Sequence, residues 1–342
     1  MDVYLLDDNY KIISIIDDFT SLIWRRKYKS CGDYELHCAH DRFHDISSAS
    51  YIYRPDRKEV GLIESYALNT PTCYAKGRFI ECLLADIVIY PTEKYVEKTH
   101  EHIVRDLISK YMAHVVLGEP NSPEIGSQIN TQVTGKNLME YVYDQLNSVD
   151  ASFSLTCDLA AKNLIFSVWK PSESLAVIVF SQEFDNLKTF SYQYSEKDVK
   201  NYAVIAGAGE GTNRKYTHVD IRKNDSERQR EIYVDARDVQ QDDGETLEHY
   251  LGRLQQRGIE KLSQYNIVES CEATVDTQAN LEYRTDFDLG DVCIVKDDQH
   301  EIICQKRITE CEEVYENGAF SLSVVFGDGY LLLPKYLERE LK

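Results

Sequence analysis

No stretch of the 342 residues approaches the roughly 18 consecutive apolar positions that a membrane-spanning helix needs, so no membrane span is expected. The start, Met1-Asp2-Val3-Tyr4, lacks the basic leader and small-residue cleavage site of a secretory signal, and folding in a cytoplasm is expected. Positive charge is short as well: 38 Lys and Arg stand against 58 Asp and Glu, a formal net charge of −20. A surface of that sign repels a phosphate backbone and argues against stable nucleic-acid binding. The nine cysteines, at 31, 38, 73, 82, 157, 271, 293, 304 and 311, are odd in number and include no CxxC pair. Scattered reduced thiols are expected, with Cys293 and Cys304 serving as small hydrophobes inside apolar strand runs. The absence of a 20–50-residue repeat or a low-complexity tract argues against solenoids and disordered tails.

Tryptophan is scarce at two, yet tyrosine numbers 24, and with Val and Ile spread throughout this favours half-buried sheets over a helical bundle. The length suits two or three cores of roughly 100 residues each. Within residues 1–90 short strands are predicted at Val3–Leu6, Lys11–Ile16, Tyr51–Arg54, Val60–Leu68 and Gly77–Ala85, punctuated by turns. Leu22 to Tyr28 and Asp33 to Cys38, about a Ser30-Cys31-Gly32-Asp33 break, read as a β-hairpin with Tyr34, Leu36 and Cys38 on one face. From Glu93 the period changes to three and four through Val96, His100, Ile103, Leu107 and Tyr111, which predicts a helix. A second helix is predicted from near Thr134, then a hairpin of Phe153–Cys157 with Leu164–Trp169. Strands are expected near 190–194, 202–206, 215–221 and 231–234, completing the first β-unit. A third helix over Glu245–Tyr265 has Gly258 small enough for a close neighbour, and strands follow at 268–275, 291–296, 301–311 and 320–326.

Clusters that resemble chemical sites fail on spacing. His37, His40 and His44 lie near Cys31 and Cys38, but His37 and Cys38 point to opposite faces of a strand and no second ligand pair follows. His100-Glu101-His102 has Val104 where HExxH needs its second imidazole. Asp286 to Asp291 places Gly290 at the fifth position of a calcium loop and Asp297 at the twelfth, where Glu is needed. The run Gly207-Ala208-Gly209-Glu210-Gly211 lacks the Lys-Ser/Thr pair of a phosphate loop and reads as a turn. The Asp-Asp doublets at 7, 17, 242 and 297 sit where turn and cap hydrogen bonds want them. No catalytic, cofactor-binding or metal-ligating residue is assigned, no cofactor is expected, and the protein is read as not an enzyme.

Several ordered blocks carry a resemblance: "SLIWRRKY…CGDYEL" from Ser21, "GRFIECLLADIVIYP" at 77–91, "QVTGKNLMEYVYDQL" at 132–146, the block 179–211, "REIYVDARD" at 230–238 and "YRTDFDLGDVCIV" at 283–295. Together they resemble the phage tail-hub, or baseplate-hub, family of Gram-positive phages, prophages and phage-tail-like particles. The resemblance implies an α+β, β-rich fold of two tube-protein-like β-barrel domains with an inserted α+β domain. The expected units are 1–92 plus 186–236 for the first barrel, 93–185 for the insertion, 237–329 for the second helix-plus-barrel unit and 330–342 for a C-terminal tail.

The implied function is a structural hub that joins a six-fold tail tube to a three-fold spike or tail-tip complex and forms part of the central channel; a tail-associated cell-wall hydrolase and a carbohydrate-binding adhesin are the alternatives. The implied partners are two further copies in a homotrimer, the tail tube or distal tail protein, the spike or tail-tip protein, the tape-measure protein and other baseplate components. The implied location is a virion or tail-like particle assembled in the host cytoplasm. Trp24 and Tyr34 are expected to pack, Arg25, Arg26 and Lys27 to serve a subunit interface, and Tyr330–Lys342, with leucines at 331–333, to dock a partner.

Overall fold

The computed structural model describes residues 1–57, 59–171, 178–276, 280–316 and 318–327. The expected docking tail at 330–342 lies outside the described residues.

Alternation of buried and half-buried residues in Ser21–Lys27 and Asp33–Ala39 makes the predicted hairpin, with Leu22 opposite Leu36 and Trp24 opposite Tyr34. The inward set packs with Val3, Leu5, Ile16, Ile52 and Phe79 from the facing sheet and its connections. That facing sheet has four strands in the order Ile12–Ile16, Val3–Leu6, Tyr51–Tyr53, Val60–Leu62.

The hairpin belongs to a ten-stranded sheet. Its path runs Leu187–Ser195, Val268–Val275, Ala319–Gly327, Ile302–Glu316, Ser21–Lys27, Asp33–Ala39, Thr72–Arg78, Ser65–Asn69. Val292–Asp297 pairs with the start of the long strand Ile302–Glu316, and Val179–Ser181 lies parallel to it. The later half of Ile302–Glu316 pairs with Ser21–Lys27 from Glu310 opposite Lys27 to Glu316 opposite Ser21. A second apolar core, containing Phe180, Phe287, Val295, Leu322 and Phe326, lies on this C-terminal part of the sheet.

Two smaller layers complete the molecule. Helices His100–Tyr111 and Leu138–Asn147 share a core with the sheet of Val115–Leu117, Asn163–Trp169 and Ser152–Asp158. The second of these strands pairs antiparallel with the third, as the predicted hairpin requires. Tyr202–Ala206 is flanked by Tyr216–Asp220 and Glu231–Asp235, and helix Leu247–Leu262 covers them with Tyr250, Leu254 and Leu262. Gly258 permits that approach: a Cβ there would lie 2.7 Å from Ile205 Cδ1.

Four segments differ from expectation. Residues 93–99 are a strand paired with Gln128–Val133, and the helix starts only at His100, where the Thr99 hydroxyl accepts the His102 N–H at 3.1 Å. Val96 is 60% exposed, so it was never on the buried helical stripe. The strand Thr72–Arg78 gives way to a 3-10 turn over Ile80–Asp86, because Ile80, Glu81 and Cys82 are all buried in succession, which strand alternation does not allow. The expected strand 60–68 is split between two sheets, Val60–Leu62 in one and Ser65–Asn69 in the other. Finally, Leu187–Ser195 pairs with Val268–Val275, and Tyr202–Ala206 with its two neighbours; none of these strands pairs with residues 1–92 among the described residues. Periodicity identifies a strand, whereas its partner depends on long-range register.

Candidate functional site

The seam where Ile302–Glu316 meets Ser21–Lys27 carries a buried ion pair within a wider network of charged side chains. Because side chains alternate, Trp24 and Arg26 share one face with Cys311 and Glu313, while Arg25 and Lys27 share the other with Glu310 and Glu312. On the first face Glu313 is fully buried and receives two arginines. Arg54 Nη1 lies 3.0 Å and Arg57 Nη2 2.9 Å from its Oε2, and the Tyr315 hydroxyl donates to the same oxygen at 2.9 Å. Burial opposes the charge on Glu313, yet the Arg57 hydrogen bonds and both guanidinium charges hold its carboxyl below the ordinary range. The Arg54 guanidinium is itself fully buried, 5.4 Å from the Trp24 ring centre and 4.9 Å from that of Tyr315.

Arg26 continues the network with Nε 2.6 Å from Glu59 Oε1 and Nη1 2.5 Å from Asp288 Oδ1 and 3.0 Å from the Tyr283 hydroxyl. Burial works against ionised Glu59, but the Arg26 charge keeps its carboxyl low. On the opposite face Arg25 bonds Glu312 and lies 2.8 Å from Asp33 Oδ1, and Lys27 lies 2.7 Å from Asp33 Oδ2. Each member of the basic trio is thus paired with a carboxylate of its own chain. Trp24 and Tyr34 are core residues, with ring centres 5.9 Å apart.

Beside the seam lies a cleft of about 650 Å³, lined by Arg26, Glu59, Glu81, Tyr143, Phe153 and Trp169 among others. Glu81 comes from the 3-10 turn and is 8% exposed; its Oε1 accepts the Leu155 N–H at 3.4 Å and its Oε2 has no hydrogen-bond partner. Burial lifts its carboxyl to about 7. The cleft thus holds one carboxyl able to carry a proton near neutrality and one, Glu59, committed to Arg26. Among the described residues no group of three or more His, Cys, Asp or Glu is placed to hold a metal ion.

The other sequence candidates are dispersed. His37 Nε2 is 2.5 Å from Glu35 Oε1, and His40 Nδ1 is 3.2 Å from the Pro71 carbonyl. His44 lies in the short helix Phe43–Ser47, where its carbonyl accepts from Ser48. His100 is buried, which lowers its pKa, and its Nδ1 meets Gln145 Oε1 at 3.1 Å. Glu101, fully buried, accepts hydrogen bonds from Asn121 N, Asn121 Nδ2 and Ile125 N at 2.9, 3.1 and 2.8 Å, fastening the loop before Gln128. Asp288 pairs with Arg26, and Asp286 and Asp291 accept backbone N–H groups of their own turn. The glycine run turns against Tyr250, whose hydroxyl accepts the Ala208 N–H and donates to the Val239 carbonyl, both at 3.1 Å. Asp7 and Asp297 accept N–H groups two residues on, Asp18 holds Arg42, and Asp242 holds Lys94.

Sequence reading missed Arg54, Glu313 and Glu81. For Glu81 the available signal was a single carboxylate within the apolar stretch Phe79-Ile80-Glu81-Cys82-Leu83-Leu84; Glu313, in Glu310-Cys311-Glu312-Glu313-Val314-Tyr315-Glu316, stands among other acids and is marked only by sharing a strand face with Cys311 and Tyr315.

Residues 2–328 match the family described as Siphovirus ReqiPepy6 Gp37-like protein. Among solved structures the fold is similar to the tail protein from Neisseria meningitidis MC58, with TM-score 0.61 and 13% identity over 97% of this chain and 98% of that one. It is similar to the prophage tail protein gp18 from Listeria monocytogenes EGD-e, with TM-score 0.61 and 10% identity over 100% and 98%. It is also similar to the 43 kDa tail protein of prophage MuSo2 from Shewanella oneidensis, with TM-score 0.58 and 14% identity over 95% and 98%. No curated protein sequence matches the chain.

Proposed function

The chain belongs to the Siphovirus ReqiPepy6 Gp37-like protein family, and we propose that it acts in a phage tail or tail-like particle as a structural hub subunit. In this reading three copies form a ring that joins the six-fold tail tube, directly or through a tube-terminating protein, to a three-fold spike or tail-tip complex. The ring forms part of the central channel and meets the tape-measure protein and other baseplate components. The role is mechanical and not enzymatic.

The observation that carries the reading is the likeness in fold to tail proteins along the whole chain, on a framework of two β-units joined edge to edge. We take the unit around Trp24 and the unit around Phe180 as the two tube-protein-like barrels, with residues 93–169 as the part inserted between them. Three copies of such a chain present six similar units around one axis, which matches a six-fold tube while the remainder keeps three-fold symmetry. The buried Arg54–Glu313 pair suits this role because it ties the two units of one subunit into a rigid piece. The net charge of −20 would, where it faces the channel, keep DNA from adhering in transit.

Electron microscopy of the purified protein together with light scattering tests the proposal. A three-fold ring with pseudo-six-fold density is the expected result, and a stable monomer at all concentrations would reject it.

A further inference from the structure

Two of the nine cysteines meet. Cys271 Sγ lies 3.3 Å from Cys304 Sγ inside the C-terminal core, although the two residues are 33 apart in sequence. Their strands are not hydrogen-bonded to each other: Val268–Val275 pairs with Leu187–Ser195 and Ala319–Gly327, and the part of Ile302–Glu316 that carries Cys304 pairs with Val292–Asp297. The side chains nevertheless meet in matching order, because Glu269 and Lys306, two positions away on each strand, form an ion pair. Opposed side chains in that register hold the thiols face to face.

We propose that Cys271 and Cys304 are a disulfide-forming pair, oxidised by thiol–disulfide exchange with a small-molecule disulfide of the oxidised-glutathione class. The sulfurs must close from 3.3 Å to about 2.0 Å for the bond to form. Cys304 is the attacking group. It is 8% exposed where Cys271 is fully buried, and its neighbour Ile303 faces solvent. The contact between the two sulfurs lets one thiol stabilise the other's thiolate, which holds the Cys304 thiol below its ordinary range and raises that of Cys271.

In the first step the Cys304 thiolate attacks one sulfur of the oxidant; a protein–glutathione S–S bond forms, the glutathione S–S bond breaks, and one glutathione thiolate leaves. In the second, the Cys271 thiolate attacks Cys304 Sγ and expels the other glutathione. The two thiol protons end on the two glutathiones, and the two protein sulfurs lose the two electrons that the oxidant gains. In a reducing cytoplasm the pair stays as thiols; outside it the bond staples two strands that no backbone ladder joins. The proposal stands apart from the hub reading, since it depends only on this core.

Cys38 and Cys73 face each other across paired strands with the Cys73 thiol 3.0 Å from the Ala39 carbonyl, whereas the Cys304 thiol lies 3.8 Å from the Val295 carbonyl and closer, at 3.3 Å, to the Cys271 sulfur.

The test uses the full chain, reduced with dithiothreitol, desalted, exposed to oxidised glutathione, alkylated in denaturant and digested without reductant for mass spectrometry. A linked Cys271–Cys304 peptide pair, lighter by two hydrogens than its parts and released by dithiothreitol, is expected, with a higher melting temperature for the oxidised protein. In Cys271→Ser the linked pair should vanish and Cys304 should retain glutathione. Persistent alkylation of both residues in the wild-type chain, or linkage of either to Cys293 or Cys311, overturns the proposal, whatever the variant does.

Discussion

Arg54 and Glu313, 259 positions apart in sequence, form an ion pair of 3.0 Å in which neither side chain is exposed to solvent. It joins the turn after strand Tyr51–Tyr53 to the strand Ile302–Glu316, and Arg57, Asp56 and Tyr315 extend it into a hydrogen-bonded network around the guanidinium and the carboxylate.

Glu313→Ala leaves the buried Arg54 guanidinium with only the part-exposed Asp56 carboxylate as counter-charge and is expected to destabilise the protein by about 3 kcal/mol, measured by urea unfolding. Asp242→Ala, which breaks the exposed pair with Lys94, should cost less than about 1 kcal/mol in the same assay. Equal losses for the two variants would contradict the role assigned to the buried network.

Glu81 makes stability depend on pH. The folded chain holds this proton up to about 7, whereas the unfolded chain releases it near the ordinary value of 4.5. Between those values the folded state binds the extra proton, so the contribution is full below pH 4.5 and is lost as pH rises through about 7. Glu81→Gln should therefore gain on the wild type by roughly 2–3 kcal/mol at pH 8, with the gain shrinking toward pH 4.5, in unfolding curves taken across that range.

Gly77 faces the backbone of the neighbouring segment so closely that a Cβ would lie 1.8 Å from the Leu62 carbonyl oxygen. Gly77→Ala is expected to lower stability by about 3 kcal/mol, read as a fall in the denaturation midpoint, because a backbone atom cannot move aside as a side-chain tip can. Gly244→Ala, with no atom within 4 Å of its Cβ but a φ of +83°, should show only the smaller cost of backbone strain, about 1 kcal/mol.

Glu101→Ala removes three hydrogen-bond acceptor contacts from the loop around residues 119–126. Limited proteolysis should cut that loop at least several-fold faster than in the wild type, while the hairpin at 21–39, which shares none of these contacts, stays resistant. Unchanged cleavage would show that the loop is held by other means.

The parts that were legible in the sequence are those governed by nearest neighbours. The hairpin of Ser21–Lys27 and Asp33–Ala39 follows from alternation about a tight turn, the helix Leu247–Leu262 from its apolar stripe, and the Asp7 turn from a side chain that accepts its own downstream N–H groups. The strand Glu93–Thr99 was hidden because Val96 imitates a helical spacing while pointing to solvent.

The amino-acid order alone determined the β-rich character, the acidic surface, the absence of a long apolar helix and most strands and helices, since each rests on composition or on a period read over a few residues. Tertiary structure decided which strands meet: Glu313 beside Arg54, Leu187–Ser195 along Val268–Val275, and Cys271 against Cys304. Those choices depend on the joint burial of residues scores of positions apart, and the energy of closing such loops around one shared core is a property of the whole chain and not of any window within it.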